Sequence, residues 1–87
     1  MSYQVEIENR CLREVKRLDR QVARRAFEII EKAIARDPRA GKALKGKYKG
    51  LYSWRMSDYR IVYEISERRL VIVVLRISHR KNVYEGL

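Results

Sequence analysis

The sequence predicts one α+β domain, with the element order β-α-α-β-β-β and two N-terminal helices packed on one face of a mainly antiparallel sheet. Apolar residues recur at helical spacing before residue 37, and three segments after residue 50 alternate apolar and polar side chains. The chain has 87 residues, of which 46% are hydrophobic and 37% charged. That length and composition predict a single folded domain over residues 1–87, without a disordered tail.

The N-terminal part predicts one strand and two helices. Residues Tyr3 to Ile7 alternate in the period-two pattern of a half-buried strand. Asn9 is placed to cap a first helix of about three turns, and Asp19 is placed to cap a second. The second helix carries an apolar stripe that ends near Ile34, and Asp37-Pro38 stops it because a residue before proline disfavours helical dihedrals.

The C-terminal part predicts three strands, at about residues 51–56, 59–66 and 70–78, with Ser57-Asp58 as the hairpin turn between the first two. Residues 39–50 hold three of the four glycines and five lysines and arginines. This composition predicts a flexible basic connector. Its lysines Lys45, Lys47 and Lys49 suit contacts with a phosphate backbone.

Strand alternation divides the sheet into two faces. If residues 67–69 form the last loop, the helix-facing side carries three nearly apolar sets, namely Tyr52, Trp54 and Met56; Ile61, Tyr63 and Ile65; and Val71, Val73, Leu75 and Ile77. The opposite side, here called the arginine face, then carries Ser53, Arg55, Arg60, Glu64, Arg76, Ser78 and Arg80. Val62, Leu70, Ile72 and Val74 fall on it too, which predicts that a partner or the C-terminal tail covers part of it.

Two arginines are predicted to lie directly opposite each other on this face. With Ser57-Asp58 as the turn, Arg55 pairs with Arg60, and like charges so placed destabilise a sheet by roughly 0.2–1 kcal/mol. One interpretation is an anionic ligand between them, and the other is that these arginines are simply solvated. Guanidinium groups bind phosphate oxygens bidentately, so the anionic ligand that fits best is RNA.

The overall charge narrows the class of partner without choosing one. A net charge of +10 and a pI near 10.2 attract nucleic acid, anionic membranes or an acidic protein. The longest apolar run, residues 70–75, is too short to span a bilayer, and no signal peptide is recognised, so we expect a cytoplasmic protein. One histidine and one cysteine argue against a zinc site, no cofactor motif is present, and Cys11 has no partner for a disulfide.

Five short motifs occur in order: Leu44-Lys45-Gly46, Trp54-Arg55, the stretch from Asp58 to Glu64, His79-Arg80 and Val83-Tyr84. Together they resemble RelE-type toxins of the RelE/ParE superfamily of toxin–antitoxin pairs, over the full length of the chain. The resemblance implies a ribosome-dependent endoribonuclease that cuts mRNA without a metal or cofactor. It also implies a cognate antitoxin, which the basic charge predicts to be acidic.

The resemblance implies that Arg60, Arg80 and Tyr84 are the active-site residues. Arg60 is expected to bind the phosphate and its transition-state charge, Arg80 the phosphate or leaving group, and Tyr84 to stack on or orient the nucleotide. Arg55 matches a further basic position, while Ser53 stands where a second lysine or arginine is often found. The remaining predicted phosphate-binding residues are the connector lysines, Arg76 and Lys81.

Other residues are predicted to be structural. Histidine is a residue type that can act as an acid or a base, but the strand position of His79 places it on the helix side, where it packs or caps. Trp54 is predicted to pack in the core. Two alternative functions stay open. One is a ParE-like inhibitor of DNA gyrase that cuts no RNA, and the other is a catalytically silent antitoxin-binding or nucleic-acid-binding module, which the missing basic residue at Ser53 keeps open.

Overall fold

All the predicted helices and strands are present, and the sheet has one strand more than predicted. The structure, a computed structural model, describes residues 2–85 and 87. Its strands are β1 (Gln4–Ile7), β2 (Lys42–Ala43), β3 (Leu51–Met56), β4 (Tyr59–Ser66) and β5 (Val71–His79). Its helices are α1 (Asn9–Val15) and α2 (Arg20–Ile29), and a π-helical turn at Ile30–Ile34 prolongs α2.

The sheet has the strand order β1-β5-β4-β3-β2 and is mainly antiparallel. Within the described residues, β1 alone runs parallel to its neighbour, β5, and α1 and α2 form part of the long connection that a parallel pair needs. The hairpin is confirmed: Met56 pairs with Tyr59, and Arg55 with Arg60, around a turn in which Ser57 has φ +54°. The fold is therefore α+β, with two helices packed against five strands within the described residues.

One predicted helix cap is confirmed and one is wrong. The Gln21 backbone N–H donates to Asp19 Oδ1 at 2.8 Å, so Asp19 caps α2. In α1, Glu8 occupies the cap position, and its side chain makes no capping hydrogen bond. This helix ends at Val15, about one turn earlier than the apolar spacing predicted.

The predicted faces of β5 are wrong for its first half. Val62 pairs with Arg76, but Tyr63 pairs with Val74, so Leu75 is an extra residue at a bulge. Because a bulge shifts the alternation by one, Ile72 and Val74 join the buried core on the helix side, and Val71 and Val73 turn to the arginine face. The loop before β5 has four residues, 67–70, since Ser66 pairs with Val71.

The connector is ordered by specific contacts and is not the flexible segment predicted. It contains β2 and two 3-10 turns, Pro38–Ala40 and Gly46–Tyr48. The buried Tyr63 hydroxyl donates to the Pro38 carbonyl oxygen at 2.6 Å, and the Leu44 N–H donates to Leu51 O at 2.9 Å. The missing side chain of Gly41 lets the connector approach the sheet closely, since a Cβ there would lie 2.1 Å from the Tyr63 hydroxyl oxygen.

The C-terminal tail, residues 80–85, covers part of the arginine face, as one of the two alternatives predicted. Arg76 donates to the carbonyl oxygens of Asn82 and Glu85, which ties the tail to β5. Val62 on β4 and Val83 in the tail are both fully buried. The uncovered part of the face is therefore the end near the β3–β4 hairpin and β2.

Candidate active site on the arginine face

An open cleft of about 410 Å³ lies on the arginine face beside β2, β3 and β4. Its lining includes Lys42, Ser53, Arg55 and Arg60. A larger cleft of about 640 Å³ lies between β1 and α2, and most of the residues that line it are apolar, including Val5 and Phe27. We place the candidate site in the smaller cleft because its walls carry the predicted cations.

The cations around this cleft have no carboxylate partner in the part of the chain that the structure describes. Within residues 2–85 and 87, the ion pairs join Arg10 and Arg76 to Glu14, Arg39 to Glu67, and Arg69 to Glu6. None of these ion pairs uses Lys42, Arg55, Arg60 or Arg80. The positive charge of the cleft is therefore left for a ligand or for solvent.

Arg80 lies just beyond β5, at the same end of the sheet as Arg60. Arg60 pairs with Ser78 in the β4–β5 ladder. The ladder continues for one more hydrogen bond, because the Arg80 N–H donates to Asp58 O at 2.7 Å. The structure thus brings the two predicted catalytic arginines to adjoining positions at the hairpin end, with Arg60 half-buried and Arg80 exposed.

Tyr84 is held by the connector. Its ring stacks on Tyr48, with ring centroids 5.2 Å apart and planes at 26°, and the Tyr48 hydroxyl lies 3.5 Å from Tyr84 O. Lys47 Nζ lies 5.2 Å from the centroid of the Tyr48 ring. Sequence analysis missed Tyr48, although an aromatic residue between Lys47 and Lys49 is a pattern that nucleic-acid-binding surfaces use. The other predicted phosphate contacts, Lys45, Lys49 and Lys81, are exposed.

Comparisons with known proteins show the family to which the chain belongs. Residues 5–84 match the family model of the ParE toxin of the type II toxin–antitoxin system parDE. The chain belongs to the RelE/ParE superfamily of type II toxins. Among its relatives, toxin RelG of Mycobacterium tuberculosis is 29% identical over 97% of this chain and 98% of that protein. Toxin RelE of the same species is 31% identical over 94% of this chain and 86% of that protein.

A solved structure shares the fold closely. The RelBE2 toxin–antitoxin complex of Mycobacterium tuberculosis matches with a TM-score of 0.86 and 28% identity, covering 92% of this chain and all (100%) of the matched chain. The toxin described here therefore has the fold predicted for it. No helix among its described residues is long and apolar enough to cross a membrane.

Arg76 occupies a structural position in the toxin. Its side chain is 4% exposed. One nitrogen donates to Glu14 Oε2 at 2.9 Å, and the guanidinium also binds the tail carbonyls of Asn82 and Glu85. A guanidinium so enclosed is not presented to RNA. The predicted phosphate-binding role of Arg76 gives way to one in which it clamps the segment that carries Arg80 and Tyr84.

His79 and Trp54 also lie where strand alternation placed them, on the helix side. The His79 ring meets Tyr59 edge to face, with centroids 5.7 Å apart, and its Nδ1 accepts the Lys81 N–H at 3.3 Å. Trp54 packs against the buried core. Both contacts agree with the packing and capping roles predicted for these residues.

Burial perturbs two groups in the core of the toxin. Burial raises the pKa of the Cys11 thiol to about 11. Burial, with a smaller contribution from Tyr52, raises the pKa of the Tyr63 hydroxyl to about 12. Both groups therefore stay protonated at neutral pH, and Tyr63 keeps its proton available for the bond to Pro38 O. Neither group belongs to the set of cations around the cleft.

Proposed function

We propose that the toxin is a metal-independent endoribonuclease that cuts mRNA on the ribosome. The observation that carries this proposal is a cleft in which Arg55 and Arg60 face each other without a carboxylate partner among the described residues, with Arg80 at the adjoining position. Arginine is suited to the bidentate recognition of phosphate. The RelE and RelG relatives support an RNA substrate through the family resemblance, which implies mRNA cleavage.

In the proposed reaction, the 2′-oxygen of a ribose attacks the adjacent phosphorus, and the bond from phosphorus to the 5′-oxygen of the next nucleotide breaks. The 2′-hydroxyl loses its proton and the leaving oxygen gains one, which gives a 2′,3′-cyclic phosphate and a 5′-hydroxyl end. Arg60 binds the non-bridging oxygens and stabilises the charge that grows on them. Arg80 binds the same phosphate or the leaving group.

In this proposal, most of the rate enhancement comes from alignment of the reacting atoms and from stabilisation of the transition-state charge. Arginine and tyrosine do not ordinarily titrate near neutrality, so neither residue type is an efficient general base at that pH. Holding the 2′-oxygen in line with the leaving oxygen lowers the activation barrier, because the entropy cost of orienting the two groups is met when the RNA binds. In this proposal Tyr84 orients the nucleotide, and stacking on Tyr48 fixes the position of the Tyr84 ring.

The test is cleavage of a defined message on translating ribosomes by purified toxin. Arg60→Ala and Arg80→Ala should each abolish cleavage while leaving the fold intact, which the fluorescence of Trp54 reports. Arg24→Ala is the matched control, because Arg24 is exposed on α2 and outside the cleft. A message left intact by the wild type contradicts the proposed activity. Cleavage by either active-site variant at nearly the wild-type rate contradicts the residue assignment.

A second candidate is inhibition of DNA gyrase without RNA cleavage, and the ParE description of the matching family favours it. In this case the purified toxin stops supercoiling of plasmid DNA and leaves ribosome-bound message uncut. A third candidate is a silent binding module. Induction of the gene would then leave both growth and message integrity unchanged.

We also propose that an acidic antitoxin binds the toxin in the cytoplasm and blocks its access to the ribosome. The net charge of +10 supports an acidic partner, and a toxin–antitoxin complex is among the solved structures that share the fold. A small acidic reading frame next to the gene is the first candidate. Its product should co-purify with the toxin and suppress cleavage, and a product that does neither is not the antitoxin.

A further inference from the structure

A short strand that sequence analysis missed brings another lysine into the cleft. Lys42 on β2 pairs with Ser53 on β3. Directly opposed residues of an antiparallel pair project to the same face, with Cβ atoms about 4.5–5.5 Å apart. Lys42 is exposed, whereas Ser53 is only 3% exposed, and both residues line the same cleft. The two side chains are therefore neighbours on the arginine face.

The backbone around Lys42 is fixed on both sides. On the N-terminal side, the Tyr63 hydroxyl binds Pro38 O, and the position of a Gly41 Cβ would be 2.1 Å from that same hydroxyl. On the C-terminal side, the Leu44 N–H binds Leu51 O. These contacts hold a two-residue strand that would not persist alone. Lys42 thus starts from a rigid position, which lowers the entropy lost when it binds a ligand.

Two features of the cleft point to an anion at this position. The Lys42 ammonium takes part in no ion pair within residues 2–85 and 87, and the opposed pair Arg55–Arg60 lies two residues along β3 on the same face. The Ser53 hydroxyl is buried without a hydrogen-bond partner among the described residues. Buried hydroxyls are normally hydrogen-bonded, so an unpartnered one in the lining of a cleft that also carries Lys42, Arg55 and Arg60 points to a polar ligand there.

We propose that Lys42 contacts a phosphate of the bound RNA strand, and that it supplies from β2 the positive charge that Ser53 does not supply from β3. This inference rests on the proposed RNA-cleaving function and adds a residue to it. Lys42 is a binding residue here, and Arg60 and Arg80 keep the roles given above.

The experiment compares Lys42→Gln with the charge-conserving Lys42→Arg and with Lys32→Gln. Lys32 is exposed in the π-helical turn that prolongs α2, so its replacement removes the same charge away from the cleft. On translating ribosomes at limiting toxin, we expect Lys42→Gln to cut the message at least tenfold more slowly. Lys42→Arg and Lys32→Gln should remain within threefold of the wild type.

A second measurement does not depend on cleavage. The probe is a short single-stranded RNA with every 2′-hydroxyl methylated, whose binding is measured against salt concentration. Loss of one phosphate contact lowers the slope of log K against log salt by about 0.7 on single strands. Lys42→Gln should show this decrease, whereas Lys42→Arg and Lys32→Gln should keep the wild-type slope.

The two measurements separate this inference from the proposed function. If the wild type cuts the message and Lys42→Gln cuts it within threefold of that rate, the inference about Lys42 is wrong and the function stands. If the wild type cuts nothing, the proposed function is wrong, and the salt slope alone decides whether Lys42 contacts phosphate. An unchanged slope for Lys42→Gln overturns the inference in either case.

Discussion

Replacing Gly41 by alanine should destabilise the toxin through one identifiable collision. Gly41 has φ −71° and ψ 171°, a conformation that alanine adopts without strain. The added Cβ would lie 2.1 Å from the Tyr63 hydroxyl oxygen, 3.1 Å from Cζ of the same ring and 3.3 Å from Ser53 O. Tyr63 is fully buried, so its ring cannot turn away freely. Either the connector or the ring has to move by about 1 Å to restore an ordinary contact distance.

The cost has two parts. Overpacking a buried site costs about 1–3 kcal/mol. Moving the hydroxyl also breaks its bond to Pro38 O, and a buried hydrogen bond that is lost with a partner left unsatisfied costs about 1–3 kcal/mol. The movement that relieves the overpacking is the one that breaks the hydrogen bond, so the two costs overlap, and we expect Gly41→Ala to lower the free energy of unfolding by about 2–4 kcal/mol. For a domain of this size that corresponds to a fall in Tm of at least about 8 °C.

The substitution Tyr63→Phe removes the colliding oxygen and so tests the cause. Alone, it should cost about 1–2 kcal/mol for the lost hydrogen bond. In the Tyr63→Phe background, the Cβ added by Gly41→Ala meets only the ring carbon at 3.1 Å and Ser53 O at 3.3 Å. The substitution should then cost about 1 kcal/mol, which leaves a coupling energy of about 1–3 kcal/mol in a double-mutant cycle. Urea unfolding followed by the fluorescence of Trp54, the only tryptophan, measures all four proteins. Equal costs of Gly41→Ala in both backgrounds would refute the collision.

Three further predictions concern charge. Arg60→Gln should abolish cleavage. It should also raise the free energy of unfolding by about 0.2–1 kcal/mol, because it removes the repulsion between Arg55 and Arg60 across the β3–β4 ladder. A lower free energy of unfolding in urea titrations contradicts this. Arg76→Met should lower stability by about 1–3 kcal/mol and speed hydrogen exchange at the tail amides, and unchanged exchange would show that Arg76 is no clamp. The free energy of unfolding should fall as pH rises from 9.0 to about 11, because the raised pKa of Cys11 makes the unfolded chain lose that proton first. In a pH series of urea titrations, Cys11→Ala should make the free energy of unfolding fall less steeply over this pH range. At higher pH the free energy of unfolding should still fall, because the pKa of Tyr63 is raised to about 12.

Strand alternation predicted most of the sheet because each strand has one apolar face. The bounds of β3 and β4 and the pairing of Arg55 with Arg60 follow from the hairpin turn and this alternation. Alternation failed on β5 because every residue from Leu70 to Leu75 is apolar. Such a run fits either face equally well, so nothing in it marks the bulge at Leu75 that reverses the faces.

The residues of the candidate site that lie on or next to predicted strands could be predicted, and those in the connector could not. Arg55, Arg60 and Arg80 could be placed because their positions follow from the hairpin and the end of a strand. Lys42 and Tyr48 could not, because the local composition of the connector predicts a loop, whereas tertiary contacts from Tyr63 and Leu51 give it its shape. Arg76 was placed on the correct face, but its burial depends on Glu14 and the tail, which are distant in sequence.

The distribution of carboxylates explains why the cleft stays positively charged. Among the described residues, the ion-paired acids Glu6, Glu14 and Glu67 all neutralise basic residues outside the cleft. Opposed cations on the arginine face therefore repel each other at some cost in stability, and the same repulsion raises the local attraction for a polyanion. An acidic antitoxin bound there would relieve the same repulsion that the proposed RNA substrate would relieve. Inhibition and stabilisation of the toxin would then arise from the same contacts, because a partner that binds only the folded state shifts the folding equilibrium toward it.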